Sequence, residues 1–176
     1  MPVERTQKNP VNGDRRMKFV LNKIRLIIDG ELHIYDIKQT VYGHDDGTDT
    51  DLFRISFNLG NATYVISNNC MEFAIISLQK QLPDNIQIVC CQTCKHGNFC
   101  PFGDEENEIF CLIGYSPKNK SDVVDIFTAN MHIEDGFADF HFPRKELLDY
   151  CKKYEKINDN YYTYNDWNYH FKKNNE

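Results

Sequence analysis

Several common jobs lack their equipment in this sequence. No run of apolar residues approaches the roughly 20 that a membrane-crossing helix requires. The first residues, MPVERTQKNPVNGDRR, lack the apolar stretch of a secretory leader. A Gly-rich phosphate loop, a G-x-S-x-G elbow and an H-E-x-x-H pair are also missing. Their absence removes P-loop nucleotide binding, α/β-hydrolase chemistry and zincin chemistry from consideration. Positive charge is short: 20 Lys and Arg stand against 26 Asp and Glu, a formal balance of −6. A general nucleic-acid binder needs a basic footprint, so that class is disfavoured. A local excess exists at Arg5, Lys8, Arg15, Arg16 and Lys18, diluted by Glu4 and Asp14. The chain is therefore expected in the cytoplasm, with no membrane partner.

What remains is ordinary globular material. With 176 residues, 41% of them hydrophobic and 26% charged, the chain is long enough for one substantial core and far from the disordered regime. Residues 1–16 are polar, contain Pro2, Pro10 and Gly13, and read as a flexible arm. Residues 17–157 read as one domain, and residues 158–176 as a polar, aromatic tail expected to dock on that domain or on a partner.

Hydrophobic periodicity supplies the elements. MKFVLNKIRLIID and ELHIYDIKQTVY are rich in alternating apolar residues and flank Asp29-Gly30, a strong hairpin signal. LFRISFNL and ATYVIS, around Leu59-Gly60-Asn61, extend the meander. NNCMEFAIISLQKQLP predicts a helix, with Asn69 as N-cap and Glu72 completing a capping box. Its apolar face is Met71, Ala74, Ile75, Leu78 and Leu82, and Pro83 ends it. IQIVC and EIFCLIGY read as strands on either side of a cysteine cluster. DVVDIFTANMHI fits strand or helix, and strand is the preferred reading. FPRKELLDYCKKYEKI reads as a second helix, with Leu147, Leu148, Cys151 and Tyr154 as its buried stripe. The expected fold class is α+β: an antiparallel sheet, two helices and a cysteine knuckle between two strands.

Five of seven cysteines fall in CCQTCKHGNFCPFGDEENEIFC, between Cys90 and Cys111. An odd count and a reducing compartment argue against structural disulfides. Three readings remain: metal ligands, a redox pair, or buried apolar thiols. Redox chemistry fits worst, because no predicted helix follows Cys94 to depress a thiol pKa. In Cys91-x2-Cys94 the turn folds two sulfurs towards one ion, and a returning strand brings Cys111 alongside. Cys100 or His96 completes a tetrahedron. Soft thiolates select zinc, and a closed four-ligand site holds structure rather than performing catalysis. Cys90 is expected in the core.

The run from Ile66 to Leu112, a helix ending LQKQLP followed by CCQTC, PFG and EIFCL, resembles an uncharacterised family of small bacterial proteins, a domain of unknown function. The resemblance covers under a third of the chain and implies bacterial origin and a shared α+β core, with no activity. That family more often has serine where this chain has Cys100, and no histidine at the position of His96. Cys91, Cys94 and Cys111 are therefore the firmer ligands.

Other clusters are weaker. HDDGTDTD, from His44 to Asp51, lacks the order and the closing glutamate of an EF-hand, and reads as a solvated loop. MHIEDGFADFHF brings His132, Asp139 and His141 towards one hairpin face, where a metal or acid–base group is conceivable, although a polar strand face is the default. DEENE is an acidic patch suited to a basic partner. The composite expectation is a non-enzymatic protein-binding chain with a structural zinc knuckle, of the profile seen in toxin-neutralising immunity proteins. The alternative is a zinc-dependent or acid–base hydrolase using the knuckle metal or the His132/Asp139/His141 group.

Overall fold

The Asp29-Gly30 pair takes positive φ at both positions, 50° and 91°, the geometry that joins two twisted strands with the fewest residues. It closes a long hairpin between β2 (Arg15–Ile28) and β3 (Glu31–His44), paired from Arg15↔His44 to Ile28↔Glu31. The computed structural model describes residues 5–6, 15–44, 52–103, 107–134, 137–158, 160–165 and 167–171. They belong to two compact units, Met1–Ile88 and Val89–Glu176. The class is mixed α+β, with a meandering antiparallel sheet. No helix among the described residues is long and apolar enough to cross a membrane.

In the first unit, β4 (Leu52–Leu59) pairs with β3, and β5 (Ala62–Asn68) pairs with β4. On the far side of β2, β1 (Arg5–Thr6) and β6 (Ile86–Ile88) pair at different points along it. Parts of the expected N-terminal arm are thus strand: Arg15–Arg16 because β3 is long enough to continue the ladder past the apolar alternation, and Arg5–Thr6 by pairing with Lys18 and Phe19 of β2. Period two places Ile24, Leu26, Ile37, Phe53, Ile55, Phe57 and Ile66 in the core. Helix α1 (Met71–Gln81) buries Met71, Ala74, Ile75, Ile76 and Leu78. Its N-cap is Cys70 without a side-chain cap, not Asn69. Asn68 acts nearby instead, accepting from the Cys70 N–H at 3.3 Å. Gln79 fastens α1 to β6: its Nε2 donates to the Ile86 carbonyl at 2.8 Å, and its Oε1 accepts from the Ile88 N–H at 2.7 Å.

The second unit is built from shorter pieces. β7 (Gly97–Asn98), β8 (Glu108–Cys111) and β11 (Arg144–Glu146) form a small antiparallel sheet with β8 central. β9 (Met131–Glu134) and β10 (Phe137–Phe140) form a hairpin. Helix α2 (Lys120–Ala129) carries Val123 and Phe127 into an aromatic cluster with Cys100, Phe110, Leu112 and Phe142. Phe127 packs at 5.0 Å from both Phe140 and Phe142 and at 5.4 Å from Phe110, between ring centroids. A short helix, α3 (Trp167–Phe171), follows the tail.

Two expectations are overturned here. DVVDIF is helical, because Asn119 caps it by accepting from the Asp122 N–H at 3.0 Å and Val123 and Phe127 share a buried face; the cap and packing outweigh the β-branched pair. The helix expected over residues 142–157 does not form. Arg144–Glu146 pairs with β8 instead, and Leu147 and Leu148 are buried within a looping segment. Its backbone groups are taken by the cysteine region, so tertiary bonding outweighs helix propensity.

Candidate metal centre

After β6 the chain enters a tight 3-10 turn at Cys91–Thr93, in which the Thr93 N–H donates to the Cys90 carbonyl and the Cys94 N–H to the Cys91 carbonyl, both at 3.2 Å. The returning strand, β8, expected to run back beside the strand before the cluster, pairs with β7 and β11, while β6 pairs with β2. Gly97 pairs with Cys111 across the β7–β8 ladder, and this pairing sets the C-x2-C turn beside Cys111. Only a glycine fits at position 97: a Cβ there would lie 2.1 Å from the Cys91 carbonyl oxygen.

The looping segment after β11 closes over the turn. The Cys91 N–H donates to the Asp149 carbonyl at 2.7 Å, the Gln92 N–H to the Leu147 carbonyl at 3.2 Å and the Lys95 N–H to the Glu155 carbonyl at 2.8 Å. The tail adds a second layer. Thr163 Oγ1 donates to the Lys95 carbonyl at 3.0 Å, and Asn165 Nδ2 to the Gly97 carbonyl at 2.8 Å and the Gln92 carbonyl at 3.2 Å. Asn98 and Phe99 each bond the Tyr164 backbone. Residues 161–165 thus dock on their own unit.

This arrangement encloses a cavity of about 20 Å³ whose walls include Cys91, Cys94, Cys111, Cys151 and His96. Its lining is almost entirely apolar carbon and sulfur, with Ile109 and Ile113 contributing. Burial pushes the Cys91 and Cys94 thiols above their ordinary range, and neighbouring thiols add to the effect, Cys111 and Cys151 in the case of Cys94. His96 is 8% exposed. Its Nε2 stands 3.1 Å from Glu155 Oε1, while its buried Nδ1 has no partner. Lys95 Nζ lies 2.6 Å from Glu155 Oε2. That hydrogen bond, and then His96, hold the Glu155 carboxyl below its usual range.

The remaining candidates separate clearly. Cys100 packs in the aromatic cluster and does not line the cavity. Cys90 is buried, with its thiol pushed up to about 11 by burial. His132 and Asp139 are cross-strand partners, and the His132 and His141 rings lie 6.3 Å apart, so the hairpin does assemble this group. All three side chains are exposed. The acidic loop at 45–51 and Asp104, Glu105 and Glu106 of the acidic patch lie outside the described residues. Among the described residues no group of three or more His, Cys, Asp or Glu side chains is placed so that it could hold a metal ion as it stands. The five donors share a cavity without converging on a point.

Sequence reasoning missed Cys151, Glu155 and the two cavity-lining lysines, Lys145 and Lys153. A cysteine 40 positions beyond Cys111 carries no spacing signal, and a helical stripe gave it another explanation. No protein-family model matches this chain, and neither the curated proteins nor the solved structures contain a match to it.

Proposed function

We propose that this chain is a non-enzymatic protein-binding protein whose second unit is held together by a structural zinc ion. The observation that carries the reading is the common cavity: Cys91, Cys94, Cys111 and His96 line one small, largely closed space. Soft sulfur donors in an apolar wall match zinc. His96 stands in the same wall beside the sulfurs, one ring nitrogen on the Glu155 carboxylate and the other buried without a partner. Holding an ion would require these side chains to rotate towards one point inside the cavity, since as they stand they do not share one. A space of about 20 Å³ has room for an ion and none for a substrate, whose pockets run to roughly 300–1,000 Å³. That contrast favours structure over catalysis.

Binding is supported by the outward face of the first unit's sheet. Leu21, Leu32, Ile34 and Val65 project from that face, with exposures of 71%, 46%, 55% and 42%. Exposed apolar residues gathered on one sheet face suit a protein partner. The immunity-protein reading rests on a shared profile of small size, acidity and lack of a catalytic motif, an analogy of type alone.

The test is metal content. Protein purified without chelator or affinity metal is expected to carry about one zinc per chain by elemental mass spectrometry, the stoichiometry of a single closed site. Cys94→Ser loses the zinc together with thermal stability. Negligible zinc in a stably folded wild type overturns the reading.

A further inference from the structure

We propose that Cys151 is the fourth thiolate of the centre, so that Cys91, Cys94, Cys111 and Cys151 hold the ion and Cys100 and His96 do not. The inference rests on the metal reading above and completes its ligand set. Position is the first argument. Cys151 lines the cavity with the other three thiols, whereas Cys100 is committed to the aromatic cluster.

The second argument is anchoring. Cys151 lies between two pinned carbonyls, Asp149 accepting from the Cys91 N–H and Glu155 accepting from the Lys95 N–H. Lys156 also bridges to Cys94. The segment is thus stretched across the C-x2-C turn with its cysteine at the middle of the span. Cys151 is nonetheless solvent-exposed, in a segment with neither helix nor strand.

His96 keeps its bond to Glu155 and stands beside the sulfurs as a supporting group. On loading, four S–H bonds are exchanged for four metal–sulfur bonds and the four protons leave to solvent.

Cobalt(II) is the probe, because thiolate-to-cobalt charge-transfer absorption scales with the number of sulfur ligands. Cys151→Ser is expected to lose about a quarter of the wild-type intensity, one thiolate of four. Its affinity, by chelator competition, falls by more than about tenfold, since even outer-shell losses cost that much. His96→Gln and Cys100→Ser keep the full intensity. If Cys151→Ser leaves the spectrum unchanged and His96→Gln diminishes it, His96 is the ligand; this inference falls while the metal reading stands. If wild-type protein binds no cobalt, both fall. A second readout avoids mutation: alkylation of Cys151 by iodoacetamide, followed by mass spectrometry, is expected to be fast in metal-free protein and blocked in zinc-loaded protein. Equal labelling in the two states overturns the assignment.

Discussion

The two units are equal in length, Met1–Ile88 and Val89–Glu176, and follow opposite plans. The first spends its chain on long ladders: strands of 14, 14, 8 and 7 residues and a helix of 11. The second has described strands of two to four residues and a helix of ten. Cysteine divides the same way, with Cys70 in the first unit and the other six in the second. Long ladders satisfy their own backbone groups and expose a continuous apolar face to a helix. Short pieces do neither. The second unit relies instead on turn carbonyls, a docked tail and an aromatic cluster, the setting in which a small core gains most from a metal staple.

Chelation gives the largest expected effect on that contrast. On the proposed zinc reading, stripping the ion would remove a binding energy of roughly 10–16 kcal/mol, by analogy with zinc-finger peptides. Hydrogen exchange read by mass spectrometry should then show lost protection over 91–98 and 147–157, with β2 and β3 unchanged. Equal loss in both units would break the distinction drawn here.

Glycines sharpen it at the next scale. Gly97→Ala drives a Cβ into the Cys91 carbonyl and is expected to cost about 3 kcal/mol in urea unfolding, the upper end for core overpacking. Gly30→Ala meets nothing within 4 Å and pays only for its φ of +91°, about 1–2 kcal/mol. A Gly30 cost equal to that of Gly97 would mean that close approach at the turn is not what constrains the second unit.

The smallest effect is electrostatic. Lys95, then His96, depress the Glu155 carboxyl. A depressed carboxyl contributes stability above its unfolded pKa, about 4.3, and loses it as pH falls through the lower folded value. Because Glu155 is exposed, the contribution is small. Urea midpoints for wild type and Glu155→Gln should differ slightly at neutral pH and converge in acid. A gap that persists below the folded pKa would assign the role of Glu155 to something other than its charge.

Legibility followed the same division. Asp29-Gly30 announced its hairpin because few other dipeptides adopt two positive φ values, and α1 announced its face because period 3.6 persisted for three turns. In the second unit, local signals competed with distant ones. Val123 and Val124 pointed to a strand, and only the Asn119 cap and the distant Phe110 and Phe142 rings explain the helix. Pro143 and the Leu147–Leu148 pair resembled a helix start, yet the carbonyls of Leu147, Asp149 and Glu155 accept from residues 92, 91 and 95, more than 50 positions away. Cys91, Cys94, Cys111 and His96 were readable as a group by proximity in sequence. Cys151 was not, since the fold alone brings it to them.

Thr163, Tyr164 and Asn165 hold residues 66 to 73 positions upstream, through Lys95, Gln92, Gly97 and Asn98. On the ribosome this fixes an order of events. The β2–β3 hairpin joins neighbours in sequence and is complete soon after it emerges, whereas the cysteine turn waits uncovered until almost the whole second unit has been translated. During that interval its thiols face whatever metals and oxidants the nascent chain meets, so the emergence of Thr163, Tyr164 and Asn165 decides when that exposure ends.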